Sequence, residues 1–331
     1  MVLVFIEHAA GAPTMLSLEV LTRAARLARE MDAPLEAVAI GSNGAAAKGI
    51  LSSYGVSTLH VADDLRLAEY APAAWAHVIA ELGEHVKPEV VIGTASDRGS
   101  EVMAHLASRL RLPLAANCTE MAPGDPFKVT RQRWGGSLLE EAHLKGRIKL
   151  LTLAPHALTA EASPSRTEVT THTFAPDLED TDFRVRLKPQ VEADSGKVSL
   201  AQARVVVGGG RGVGSAEGFA ALEELAGLLG GAVGCSRAVT SLGWRPHSDQ
   251  VGQTGTRIAP DLYIACGISG AIQHMVGCRA AKRLLAINTD PAAPIVAQAD
   301  YAVIGDVQKV LSALNAEIRR VKTGEPSQSP V

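Results

Sequence analysis

Short apolar runs alternate with helical periodicities through the first third of the chain. Runs rich in β-branched residues predict strands at 2–7, 35–40, 56–61, 90–95 and 113–118. Apolar side chains at the spacing of one helix face predict helices at 18–31, 44–51, 72–85 and 102–110. This alternation indicates βαβ units, which form a parallel sheet with right-handed crossovers.

The alternation of strands and helices ends at Thr119, and no helical periodicity separates the strands predicted between there and residue 174. Strands joined by Gly, Pro and polar turns are predicted at 127–134, 137–144, 148–154 and 167–174. We expect them to be antiparallel strands that extend the first sheet. Residues 175–200 are polar and charged without a sustained period, which predicts a linker with a domain boundary near residue 195.

A second series of strands and helices follows this linker. Its strands are predicted at 203–210, 231–236, 262–266, 284–288 and 301–305. Its first helix carries a buried face of Phe219, Leu222, Leu225 and Leu229, and its last helix covers about 307–321. The chain is therefore predicted to be a two-domain α/β protein. Its parts are an N-terminal α/β domain with a parallel sheet plus antiparallel strands (1–195), a C-terminal doubly wound parallel-sheet domain (196–322) and a flexible tail (323–331).

Composition and charge narrow the function classes. Hydrophobic residues make up 47% of the chain and charged residues 20%, which is typical of a globular protein with sizeable cores. The net charge of −3 offers no broad basic surface, so nucleic acid is not an expected partner. The four cysteines lack the spacing of zinc or iron–sulfur ligands, so no metal site is predicted and buried, reduced thiols are expected.

The sequence shows neither the pattern of a membrane span nor that of a targeting peptide. No apolar run is long enough to span a bilayer, so membrane insertion is not expected. The N-terminus runs directly into a strand without the basic region of a signal peptide or the Arg/Ser-rich composition of a transit peptide. The expected location is the cytoplasm.

Small and polar residues follow four strands of the second half. They are GGGRG at 208–212, GCSR at 234–237, GISG at 267–270 and NTD at 288–290. In a doubly wound sheet the carboxyl ends of the strands lie along one edge, where ligands bind. The long connection that contains QVGQTG (250–255) is a further candidate for a functional loop.

Each of these stretches has a structural alternative. The GISG turn suits a phosphate because its glycines allow close approach and Ser269 adds a hydroxyl, yet Ser269 could also cap the helix. Arg211 and Arg237 can bind an anion or be solvated, and His274 can be functional or packed. Asn288, Asp290 and Asp306 can either hydrogen-bond a ribose or adenine or serve only to form turns. No Ser/His/Asp set or carboxylate pair stands out, so no catalytic residue is predicted.

The blocks GGGRG, GCSRA, VGQTG, LYIACGISGAIQH, LLAINTDPAAPI and QADYAVIGD together resemble the alpha subunit of electron transfer flavoprotein, the family that includes the FixB proteins. They occur in the family's order and spacing through about residues 205 to 306. The first half, from VFIEH through ASDRGSEVMAHLASRL, is similar more loosely. It departs from the family pattern after LPLAANC and in LLTLAPHAL, and these differences bear on the choice of partners.

The resemblance implies that the C-terminal domain binds FAD. Contacts around the phosphates are implied for Arg211, Ser236, Ser269 and Gly270, and contacts toward the adenosine end for Asn288, Asp306 and Val307. Contacts along the isoalloxazine are implied for Val251, Gly252, Gln253, Thr254, Ala271, Ile272, Gln273 and His274. Within that set, Thr254 is expected near the ring's N5 and His274 near its O2, while Arg237 is expected beside the ring. Cationic and hydrogen-bonding groups there would stabilise the negative charge of a reduced flavin.

The resemblance also implies an electron carrier rather than a self-contained enzyme. It suggests a heterodimer with a beta subunit that accepts electrons from flavin dehydrogenases, such as acyl-CoA dehydrogenases, and passes them to a quinone oxidoreductase. The first alternative is a subunit of an NADH-linked electron-bifurcating complex or of a complex associated with nitrogen fixation. A more remote alternative is a non-redox nucleotide-binding protein of the same fold, because fold alone does not decide function.

Overall fold

A computed structural model describes residues 1–136, 138–163, 166–187 and 199–323. The chain divides into two compact units, Met1–Val191 and Glu192–Val331. The predicted boundary near residue 195 and the predicted tail after residue 323 lie outside the described residues. In the part of the chain that is described, no helix is both long and apolar enough to cross a bilayer.

The first unit begins with alternating strands and helices, as its sequence pattern predicts. Its strands are β1 (Val2–Ile6), β2 (His8–Ala9), β3 (Ala12–Pro13), β4 (Leu35–Ile40), β5 (Thr58–Ala62), β6 (Val90–Thr94), β7 (Leu114–Ala122), β8 (Phe127–Arg133), β9 (Leu138–Leu144), β10 (Lys149–Leu153) and β11 (Thr170–Phe174). Its α-helices are α1 (Met15–Glu30), α2 (Lys48–Leu51), α3 (Pro72–Val86) and α4 (Asp97–Leu110). The helix predicted at 44–51 is divided equally between the end of a 3-10 segment, Ser42–Ala47, and the α-helix α2.

The strands of the main sheet of this unit follow the order β11, β5, β4, β1, β6, β10, β7, β8, β9. Strands β8 and β9 form the predicted antiparallel extension, which is joined to the parallel strands through β7. The prediction was wrong for the other two strands that follow Thr119. Strand β10 inserts parallel between β6 and β7, and β11 pairs parallel with β5 at the opposite edge. Because four of its five residues are buried, β10 suits the interior of a parallel sheet better than an antiparallel edge.

The second unit is a parallel sheet with helices on both faces. Its strands are β12 (Val205–Gly209), β13 (Ala232–Cys235), β14 (Leu262–Cys266), β15 (Leu284–Asn288) and β16 (Tyr301–Ile304). Its helices are α5 (Phe219–Leu229), α6 (Arg237–Ser241), α7 (Ile272–Cys278), α8 (Pro294–Gln298) and α9 (Val307–Thr323). The strand order is β13, β12, β14, β15, β16, so the direction of winding reverses between β12 and β14. This confirms the predicted doubly wound fold, and ligands of such sheets bind at that reversal.

Successive residues of the central strands pack into different cores. On β14, Tyr263 and Ala265 pack with Met275 of α7 and Ile295 of α8. The alternate residues Ile264 and Cys266 pack on the other face, in a core that includes Leu222 of α5 and Leu311 of α9. Both faces of the central strands are therefore buried, which explains their continuous apolar runs, whereas the edge strand β16 is exposed.

One glycine of β12 makes room for a side chain of its neighbour strand. A Cβ atom on Gly208 would lie 2.3 Å from the hydroxyl oxygen of Tyr263, which is fully buried. By contrast, a Cβ on Gly227 in α5 would meet nothing within 4 Å. Gly208 is thus required by packing, whereas Gly227 is not.

We expect Gly208→Ala to lower the free energy of unfolding of the second unit by about 1 to 3 kcal/mol, because the new methyl group overpacks the core around Tyr263. The matched control Gly227→Ala should raise it by about 0.5 to 1 kcal/mol, because alanine favours a helix interior. Urea unfolding followed by the fluorescence of Trp244, which packs against the core of this unit, measures both changes once Trp75 and Trp134 are replaced by Phe. Equal stability of the two alanine variants would contradict this account of Gly208.

Candidate functional site

The first sheet also has a reversal of winding, between β1 and β6, but a side chain of the protein fills it. Oε1 of Glu7 accepts a hydrogen bond from Oγ of Ser96 at 2.7 Å and another from the Thr94 hydroxyl. Ser96 also caps α4 by accepting a hydrogen bond from the Gly99 amide at 2.9 Å. A Cβ on Gly99 would lie 2.7 Å from the same Glu7 oxygen. The Glu7 carboxylate therefore occupies the helix N-terminus where a ligand anion would otherwise bind.

The reversal in the second sheet instead opens into a cavity of about 620 Å³. This volume lies within the usual range for small-molecule sites. The predicted site residues that line it are Arg211, Ser236, Arg237, Val251, Gly252, Gln253, Thr254, Ser269, Ala271, Gln273, His274 and Asn288. Four predicted site residues are not among those that line it: Gly270, Ile272, Asp306 and Val307.

Glycines bring the loops after β12 and β14 into direct backbone contact. The Gly210 amide donates to the Cys266 carbonyl at 2.8 Å, and the Gly212 amide donates to the Gly267 carbonyl at 3.0 Å. A Cβ on Gly210 would lie 2.2 Å from the Gly267 oxygen, and Gly267 itself has a φ of +64°. Gly210 and Gly212 therefore serve loop packing, and this packing sets Arg211 at the cavity.

Ser269 is not the cap of α7. The helix begins at Ile272, its N-cap residue is Ala271, and that cap has no side-chain hydrogen bond. Ser269 is exposed and lines the cavity, so the structural alternative of a helix cap was wrong for this residue. The neighbouring Gly270 does form a tight turn, with a φ of +85° and its Cα packed against the backbone of Ile295.

Two arginines give the cavity a cationic lining. Arg211 and Arg237 are exposed, line the cavity and form no ion pair with any residue that the structure describes. Asp290 is the one acidic side chain among the described lining residues, and its Oδ1 already accepts a hydrogen bond from the Ala292 amide at 2.9 Å. The lining therefore suits an anionic ligand.

A buried glutamine holds Thr254 at the cavity. Nε2 of Gln250 lies 2.9 Å from Oγ1 of Thr254, and Oγ of the Thr240 side chain lies 2.8 Å from Oε1 of Gln250. The loop itself is fixed by its backbone, since the Gln253 amide donates to the Gln273 carbonyl at 2.7 Å. Gln250 belongs to the QVGQTG stretch that was predicted to be a functional loop, but it was not among the predicted cofactor contacts.

His274 is a buried, neutral imidazole with one nitrogen left over. Its residue is 6% exposed, and burial lowers its pKa to about 4. The Val251 backbone lies close enough to the imidazole to oppose this shift weakly, but it does not reach hydrogen-bonding geometry with either ring nitrogen. Nε2 lies 2.8 Å from the hydroxyl oxygen of Tyr263. Nδ1 is buried and makes no hydrogen bond within the described part of the chain. A ligand in the cavity can supply the missing partner.

The remaining predicted residues also have roles in turns or packing. Nδ2 of Asn288 donates to the Ile268 carbonyl at 2.9 Å, and its Oδ1 accepts from the Asp290 amide at 3.0 Å. Oδ1 of Asp306 accepts from the Lys309 amide at the start of α9, and Val307 is buried in the core. Their contacts with the adenosine end of a cofactor stay predictions.

Comparisons with known proteins identify the family. The family model described as the electron transfer flavoprotein domain matches residues 2–177, and the one described as the electron transfer flavoprotein FAD-binding domain matches residues 199–279.

Relatives match nearly the whole chain. An electron transfer flavoprotein subunit alpha of Thermoanaerobacterium thermosaccharolyticum is 35% identical and covers 96% of this chain and 98% of its own length. A FixB protein of Clostridium saccharobutylicum is 36% identical, with 97% of each chain covered. An electron transfer flavoprotein subunit alpha of Megasphaera elsdenii is also 36% identical, with 96% of each chain covered. The chain therefore belongs to the family of electron transfer flavoprotein alpha subunits and FixB proteins, and its cofactor is FAD.

Proposed function

We propose that this chain is the FAD-binding subunit of a heterodimeric electron transfer flavoprotein whose partner is a beta subunit. It accepts electrons from flavin dehydrogenases, such as acyl-CoA dehydrogenases, and passes them to an electron transfer flavoprotein:quinone oxidoreductase or a similar acceptor. The observation that carries the proposal is the cationic cavity at the reversal of the second sheet, with its unpaired donors. A cavity of this chemistry suits a bound redox cofactor better than turnover of a substrate, because no catalytic acid–base pair lines it within the described residues.

The phosphates of FAD would be held where three strand ends meet. Arg211 follows β12, Ser236 follows β13 and Ser269 follows β14, and all three line the cavity. Ser236 precedes α6 but makes no side-chain capping bond, so its hydroxyl is available to a ligand. A guanidinium and two hydroxyls are suitable donors for a pyrophosphate.

The redox ring would lie toward Arg237, the loop of residues 251–254 and His274. When bound, FAD supplies one-electron and two-electron redox chemistry. The fixed charge of Arg237 stabilises negative charge on a reduced ring, and Thr254 offers a hydroxyl that Gln250 holds in place. Because the pKa of His274 is about 4, its imidazole stays neutral at pH 7 and acts as a hydrogen-bonding group rather than as an acid.

An NADH-linked electron-bifurcating complex, or one associated with nitrogen fixation, is the second candidate. The similarity to FixB proteins, which extends over nearly the whole chain, supports this second candidate. The two candidates differ in an assay of the purified heterodimer. Oxidation of NADH by the heterodimer would support the second candidate, whereas inertness to NADH together with reduction by an acyl-CoA dehydrogenase would support the first.

We expect the chain, co-produced with its beta subunit, to yield a yellow complex that retains FAD through dialysis. Ser269→Ala should weaken FAD retention by about three- to tenfold, because one hydrogen bond to the phosphates is lost. Ser108→Ala, which removes an exposed hydroxyl on α4 of the first unit, is the matched control and should retain FAD as the unchanged protein does. Equal retention in all three proteins would remove Ser269 from the site, and a colourless unchanged complex that cannot take up FAD would refute the proposed function.

We expect Arg237→Ala to lower the reduction potential of the bound flavin. Loss of about 1.4 kcal/mol of charge stabilisation corresponds to about 30 mV for a two-electron couple and about 60 mV for a one-electron couple. Arg204→Ala is the control for net charge, because Arg204 is exposed and precedes β12 at the sheet edge opposite the cavity. Stepwise redox titration of the three complexes measures the effect, and an unchanged potential in Arg237→Ala would exclude this role for Arg237.

A further inference from the structure

The deeply buried pair of Tyr263 and His274 connects the core of the second sheet with the cavity. Tyr263 on β14 is fully buried, and its hydroxyl oxygen lies 2.8 Å from Nε2 of His274 on α7. The two rings are stacked, with centroids 6.0 Å apart and an interplanar angle of 30°. His274 lines the cavity. A change at Tyr263 can therefore reach the cavity through a single hydrogen bond.

The backbone of the neighbouring strand is shaped around the Tyr263 hydroxyl. A Cβ atom on Gly208 would lie 2.3 Å from this oxygen, so only glycine leaves it in place. A phenylalanine at position 263 would fill the same apolar core without burying a polar atom. The hydroxyl is thus the feature of Tyr263 that packing alone does not explain.

The hydrogen-bond directions follow from the partners available. Within the described residues, the Tyr263 hydroxyl has no acceptor other than Nε2 of His274. With a flavin carbonyl facing Nδ1, a proton on Nε2 would leave the phenolic hydrogen buried without an acceptor and the flavin oxygen without its donor, which disfavours that arrangement by roughly 5- to 150-fold. Tyr263 therefore donates, Nε2 accepts, and the proton of the neutral imidazole belongs on Nδ1.

Nδ1 is the nitrogen that lacks a partner. It is buried and makes no hydrogen bond within the part of the chain that the structure describes, although the residue that carries it lines the cavity. A buried N–H without an acceptor is costly, and a carbonyl oxygen of a bound flavin would remove that cost. The pair is therefore arranged to present a donor to the ligand.

We propose that Tyr263 is a positioning residue of the FAD site: its hydroxyl donates to Nε2 of His274, keeps the imidazole proton on Nδ1, and so makes Nδ1 a hydrogen-bond donor to the bound flavin. This inference rests on the proposed function, because it assigns the acceptor as part of FAD. Tyr263 itself does not need to touch the cofactor. Its effect is to select one of two neutral forms of His274 and to hold the ring in place.

The first experiment determines the neutral form of His274 directly. The heterodimer is produced with ¹⁵N-labelled histidine in this chain, loaded with oxidised FAD, and studied at pH 7 by two-bond ¹H–¹⁵N correlation. The His274→Gln variant identifies the signals of His274 among those of the ten histidines. We expect a protonated Nδ1 and an unprotonated Nε2. A protonated Nε2 would overturn the proposal, whether or not any variant of Tyr263 folds.

The second experiment removes the hydroxyl. In Tyr263→Phe we expect the two nitrogen signals of His274 to shift toward those of a mixture of neutral forms, and FAD to bind about three- to tenfold more weakly. Tyr301→Phe on the exposed strand β16 is the matched control and should change neither result. A purely structural role of Tyr263 would lower stability while leaving the His274 signals in place, and this outcome would overturn the proposal.

The two experiments separate this inference from the function on which it rests. A heterodimer that takes up no FAD would refute the proposed function, and this inference would fall with it. Normal FAD binding with a protonated Nε2 would refute only the role of Tyr263. Normal FAD affinity in Tyr263→Phe would likewise exclude this role and leave the FAD site intact.

Discussion

The close approach of the loops after β12 and β14 is the constraint on which the candidate site depends. Gly210 and Gly212 donate backbone hydrogen bonds across to Cys266 and Gly267, at a separation that leaves no room for side chains. Because the sheet changes its direction of winding between these two strands, the helices that follow them diverge and leave a crevice. The loop contact fixes the floor of that crevice, and the side chains beside the glycines, Arg211 and Ser269, are left to face a ligand.

The cavity is lined by positively charged guanidinium groups and by neutral hydrogen-bond donors. Arg211 and Arg237 bring fixed positive charge without carboxylate partners in the described chain, which suits an anionic cofactor and the extra charge of a reduced flavin. His274 differs because burial keeps it neutral, so it contributes a directed hydrogen bond and no net charge. The first sheet has a comparable reversal, but its helix N-terminus is occupied by the Glu7 carboxylate. One chain thus contains two related reversals, with a carboxylate of the protein at the first and a cavity at the second.

Much of the fold could be predicted from the sequence because the βα periodicity is strong in both halves. The strands β4, β14 and β15 were placed with their observed ends. The positions of β10 and β11 in the first sheet could not be predicted, because strand pairing across long stretches of sequence leaves no local pattern. An apolar run such as 148–154 shows that a strand is buried but does not name its neighbours or its direction.

For the candidate site, too, local sequence patterns could be interpreted, whereas contacts between residues distant in the sequence could not. The motif blocks located the loops that line the cavity, since glycines and polar residues directly follow strands. They could not reveal that Gln250 orients Thr254, nor that Tyr263 contacts His274 eleven residues later, because both depend on side chains meeting in three dimensions. In the sequence, Tyr263 is only one apolar position of a buried strand. Only the structure shows that its hydroxyl lies in the space left by Gly208 and contacts His274.

Hydrogen–deuterium exchange of the heterodimer with and without FAD tests the central claim, that FAD occupies the cavity of the second unit, most directly. The account predicts that FAD slows exchange in the loops at 208–212, 250–255 and 267–274, while the amides around Glu7 and Ser96 in the first unit are unchanged. Slower exchange confined to the first unit or to the partner subunit, with these three loops unaffected, would contradict it.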